Sequence, residues 1–76
     1  MKVQIDKKNL WEEVLAGRTN YYSYDTLIAV VTAGKLATLY ITEERISHTT
    51  TKHVNFLKKN LTYNSIRPLE DLAWVT

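Results

Sequence analysis

The stretch SHTTTKHVNFLKKNL, residues 47–61, holds both histidines, the only phenylalanine, three consecutive threonines and three lysines. A helix that grips a metal through imidazoles sets them four apart on one face, whereas His48 and His53 are five apart and turn to different faces. Ser47 beside His48 does not make a nucleophile and its base, because adjacent side chains rarely aim at each other and no third group orients the ring. A different chemistry fits the threonines. Their hydroxyls can cap the unpaired N–H groups of a helix start, where Lys52, His53 and a threonine could also converge on a phosphate or carboxylate.

Two further groups invite a chemical reading. The adjacent acids Glu12/Glu13, Glu43/Glu44 and Glu70/Asp71 resemble acid–base pairs, but each stands where a helix is expected to begin and where the dipole favours negative charge. Tyr21, Tyr22 and Tyr24, bunched with Asn20 and Ser23, offer amphipathic rings at low entropic cost, as protein-binding surfaces do, or rings on which bases stack. Gly17 and Gly34, the only glycines, are too far apart for a phosphate-cradling loop. No cofactor, metal site or catalytic residue is expected.

These residues need elements to position them. Residues 2–5 alternate as a short strand. Asn9 then reads as a helix cap with Glu12 reaching back, Leu10, Trp11, Val14 and Leu15 recur at helical spacing, and Gly17 supplies a left-handed stop; this predicts a helix over residues 10–16. Residues 18–25, RTNYYSYD, read as a polar aromatic connector. TLIAVVT (26–32) and LATLYIT (36–42) read as a hairpin turning at Gly34. A second helix begins at Thr49 or Thr50. Its core stripe is Thr50, Val54, Leu57 and Leu61, its outer face Lys52, Asn55 and Lys59, and its flank His53, Phe56 and Asn60. Pro68 bars a central strand, which leaves a short extended piece at 65–67 and a short helix at 69–74.

Seventy-six residues allow one core, so the domain is 1–76. The expected class is α+β: a small single domain in which a β-hairpin or antiparallel sheet packs against one or two helices. Without cysteine there is no disulfide or thiolate staple. The longest weakly polar run, residues 26–42, is interrupted by Gly34 and Lys35, and the N-terminal residues lack an apolar signal-like segment; a soluble, cytoplasmic protein with no membrane partner is expected. The net charge is only +2, yet no acid falls between Arg45 and Arg67, which predicts one basic side.

The two segments YYSYDTLIAVV and ISHTTTKHVNFL together resemble a group of small uncharacterised phage and mobile-element proteins. Ser23, Tyr24, Thr26, Ser47, Thr49, Thr50, Lys52, His53, Phe56 and Leu57 carry the resemblance. It implies a non-enzymatic protein that binds and inhibits a host macromolecule, with a host defence-system protein, in the manner of an anti-CRISPR, as the first expectation. On that reading the binding residues are Tyr21, Tyr22, Tyr24, Lys52, His53, Phe56 and Lys59. The alternative is a small nucleic-acid binder that neutralises phosphates with its basic helix and stacks bases on tyrosine. Exposed sheet edges would also permit a homodimer.

Overall fold

The structure, a computed structural model, describes residues 2–6, 9–33, 37–42 and 48–72. Five strands come first: β1 (Lys2–Asp6), β2 (Leu10–Leu15), β3 (Arg18–Ser23), β4 (Thr26–Thr32) and β5 (Thr38–Ile41). Helix α1 (His48–Asn60), strand β6 (Ser65–Pro68) and a 3-10 turn (Leu69–Leu72) complete the order. The strands form one sheet in sequence order, antiparallel from β1 to β5 and parallel between β5 and β6, the pair that α1 connects.

The expected α+β class is overturned. The chain is mostly β, a six-stranded mixed sheet with one helix and a 3-10 turn among the described residues. The error lies in residues 10–16, where helical spacing predicted a helix and the structure has β2. LWEEVL carries its apolar residues at helical spacing and does not alternate, but a seven-residue helix is shorter than the ~12–15 residues at which an isolated helix becomes marginal in water. As a strand, the same residues gain a ladder on each side, to β1 and to β3. The supposed connector 18–25 is the opposite correction: its Thr–Asn–Tyr–Tyr core forms β3, paired on both edges.

Cross-strand partners share a face. The register therefore sets Leu10, Tyr21, Ala29, Leu39 and Ile41 on one face, where they form the core with Ile28 and with Leu57 of α1. Ile28 joins that core because the register shifts between β3 and β4: Tyr21 faces Ala29 and Tyr22 faces Leu27, so β4 carries one extra residue. Burying Leu57 completely contributes about 1.5–3 kcal/mol. Val30 and Leu72 are buried outside that cluster, and the 3-10 turn packs on β4 and β5.

The hairpin of β4 and β5 forms as expected, closed by the Thr38 N–H donating to Thr32 Oγ1 at 3.0 Å, while its turn at Gly34 lies outside the described residues. Helix α1 starts earlier than Thr49 or Thr50, so these lie within it and are not its caps. Its outer face of Lys52, Asn55 and Lys59 is exposed as expected, and Val54 and Leu61 pack against the core. Lys58 and Lys59 occupy its last turn, where the dipole favours cations, and the Tyr63 hydroxyl donates to the Lys58 carbonyl at 3.0 Å. The piece expected at 65–67 is edge strand β6, ending at Pro68, and the expected helix at 69–74 is a 3-10 turn over Leu69–Leu72. No helix among the described residues is long and apolar enough to cross a membrane.

Candidate functional site

Ser23 and Thr26 close the β3–β4 hairpin, leaving Tyr24 and Asp25 as a two-residue loop. Tyr24 has φ 57°, a left-handed conformation that such loops normally assign to glycine, and a residue with a Cβ costs roughly 1–2 kcal/mol there. Asn9, at the β1–β2 turn, is also left-handed at φ 62°, and its carbonyl accepts the Tyr24 N–H at 2.8 Å. Asparagine takes this conformation at less cost than tyrosine. The two turns are thus tied together, and the Tyr24 ring stays 51% exposed.

Beside this tie lies a cleft of about 330 Å³ lined by Lys2, Asn9, Trp11, Tyr24 and Asp25. Trp11 comes from the sheet face opposite the core, in register with Gln4 and Tyr22. The Lys2 ammonium lies 4.1 Å from the centre of the Tyr22 ring, a cation–π contact. Tyr22 in turn donates its hydroxyl proton to Glu13 at 2.9 Å and accepts from the Asn20 amide at 3.4 Å. Glu13 is the register partner of Lys2, so residues of opposite charge stand across from each other on this face.

On the core face, the Tyr21 hydroxyl donates to Glu12 Oε2 at 2.8 Å, directly across from it in register. Burial pushes the Tyr21 phenol well above its ordinary range, and the hydrogen bond to Glu12 and that carboxylate's charge push the same way. Helix α1 adds His53, 1% exposed, whose Nδ1 lies 2.7 Å from Ser23 Oγ. The Tyr24 and His53 rings lie tilted with centroids 6.5 Å apart. The serine–tyrosine pair from one half of the chain therefore meets the histidine from the other. Both Ser23 and His53 are buried, so the pair is sealed from any substrate.

A match to a family described as a family of unknown function, DUF8033, spans residues 2–72. The chain belongs to the DUF8033 family. No curated protein and no solved structure matches it.

In this DUF8033 chain the seven residues singled out from sequence separate into three sets. Tyr21 and His53 are buried in the interior, Tyr22 is half-buried in a polar network on the opposite face, and Tyr24, Lys52, Phe56 and Lys59 are exposed. The anion site suggested for the threonine-rich helix start does not assemble, because His53 turns inward to Ser23 while Lys52 faces solvent. No cluster of three or more metal-ligating side chains exists among the described residues. Sequence reasoning missed Lys2, Asn9, Trp11 and Asp25. In β2 Trp11 shares a face with Glu13 and Leu15, a placement that no alternation in LWEEVL signals and that the helical reading hid.

Proposed function

We propose that this DUF8033 protein is a small non-catalytic binding protein that engages nucleic acid through the turn end of its sheet. The observation that carries this reading is the display of Tyr24. A half-exposed aromatic ring is held at a costly backbone angle beside Trp11 and Lys2, and strain of that kind persists where the surrounding structure enforces it, often at binding sites. Stacking on aromatic rings next to cations suits single strands, whose bases present free faces. Lys52, next in sequence to the His53 whose ring neighbours Tyr24, and Lys59 add exposed cations on α1, the helix on the core face of the sheet.

The test is binding of a fluorescent single-stranded oligonucleotide across a salt titration. Affinity should fall with salt by a slope near 0.7 per phosphate contacted, and Lys52→Glu combined with Lys59→Glu should weaken binding and flatten the slope. Absence of any binding by the folded protein at low salt overturns the reading.

A second reading keeps the implication of the resemblance to phage proteins, inhibition of a host defence-system protein in the host cytoplasm. The exposed apolar rings of Tyr24 and Phe56 favour it, since aromatic anchors dominate protein interfaces. Tyr21 and His53, counted on for that surface, are buried and contribute nothing to it directly. Stoichiometric recovery of one host protein from lysate, lost in the Tyr24→Ala and Phe56→Ala variants, would support this reading, and recovery of none would exclude it.

A further inference from the structure

We infer that the cleft beside Tyr24 selects guanine from a single strand; the inference rests on the nucleic-acid reading of this surface. Its volume, about 330 Å³, is at the small end of the range for ligand pockets, about 300–1,000 Å³, which suits one nucleotide. The lining supplies the base and the phosphate of a nucleotide with partners of matching chemistry. Trp11 and Tyr24 offer aromatic surface for a base, and Lys2 offers a cation for the phosphate. What remains is Asn9 and Asp25, and they decide which base.

An ionised aspartate only accepts hydrogen bonds, and its two oxygens pair best with two donors side by side. Among the common bases, guanine alone presents that edge, its N1–H next to its 2-amino group. Adenine and cytosine set one amino donor beside a ring nitrogen that repels a carboxylate, and thymine or uracil flanks its single N–H with two carbonyl oxygens. Asp25 is exposed, lines the cleft and makes no ion pair among the described residues, so its carboxylate is available. The Asn9 amide can meet the neighbouring O6 acceptor of guanine. An arginine side chain from a protein partner is the competing occupant for an aspartate in a cleft that also holds aromatic rings, but the Lys2 ammonium on the same cleft opposes a second cation.

The experiment measures the affinity of the full chain for three heptanucleotides: all thymidine, the same strand with a central guanosine, and the same with a central inosine. Guanosine is expected to bind about tenfold tighter than thymidine, the size of discrimination a good bidentate contact gives. Inosine, which keeps N1–H and lacks the 2-amino group, should fall between them. Asp25→Ala should bring the guanosine-to-thymidine ratio close to one, whereas Glu70→Gln, at an exposed acid of the 3-10 turn, should leave the ratio as it is. Equal, salt-dependent affinity for all three strands overturns the guanine assignment and leaves the nucleic-acid reading standing. Tighter binding of a strand with central adenosine or cytidine overturns it in the same way. Failure of every strand to bind at low salt overturns both.

Discussion

The Ser23 hydroxyl and the His53 imidazole lie 2.7 Å apart although thirty residues of chain separate them, and both are sealed from solvent. This contact ties α1 to the end of β3, next to the strained Tyr24 loop. A buried polar pair of this kind specifies where the helix docks: sliding α1 by one residue would trade the bond for an unsatisfied donor or acceptor.

Ser23→Ala removes the hydroxyl and leaves the imidazole without this partner in the interior. The expected loss is about 1–3 kcal/mol, and His53→Ala, which also opens a cavity, should lose more. In a domain this small, 1 kcal/mol moves the Tm by roughly 4–8 °C, so differential scanning calorimetry resolves both. A Ser23→Ala variant as stable as wild type would show that the contact does not hold the helix in place.

The strain at Tyr24 can be read from two variants that both remove the ring. Tyr24→Gly releases the left-handed conformation, whereas Tyr24→Ala retains it. The glycine variant should therefore be the more stable by about 1 kcal/mol, and both should lose ligand affinity alike. Equal stability would mean that the loop relaxes once the ring is gone.

Tyr21 sets the behaviour in alkali. Its folded phenol is raised above the ordinary value of 10.0 by burial first, then by Glu12, so above about pH 10 an unfolded chain releases a proton that the folded chain keeps. The stability this supplies is complete below pH 10 and drains away as pH rises beyond it. Urea midpoints measured from pH 8 to 11 should fall more steeply for wild type than for Tyr21→Phe. Parallel curves would remove Tyr21 as the cause.

Some of this architecture could be read directly from the residues. The β4–β5 hairpin and α1 were legible because TLIAVVT is rich in β-branched residues and the Val54–Leu57–Leu61 spacing is helical. Residues 10–15 were not legible, since LWEEVL shows helical spacing alone and the deciding ladders come from β1 and β3, elsewhere in the chain. Gly17 gave a true local signal with a mistaken context, whereas Asn9 was read as a helix N-cap and is a turn residue. Both are left-handed, but at hairpin turns and not at helix ends. The cleft failed to show for a related reason. Lys2, Trp11 and Asp25 come together only through strand register, and a residue hidden in a supposed helix face cannot suggest a stacking surface.

The sheet edges bear on whether the chain associates with itself. An open edge strand is a template for pairing, and natural edges are blunted by bulges, charges, proline or shortness. β1 carries a register shift between Gln4 and Asp6 and a charged residue at each end, and β6 is four residues long and ends in Pro68. Both edges thus carry features that hinder continued pairing, and on that ground a monomer is the expected state. Sedimentation velocity at about 10 and 200 μM should give the same monomer coefficient at both concentrations. If a dimer forms instead, Gln4→Pro tests its route, because proline removes a backbone donor from β1. Dimerisation lost in that variant, with the monomer still folded, would place β1 at the interface and overturn the view that its edge is guarded.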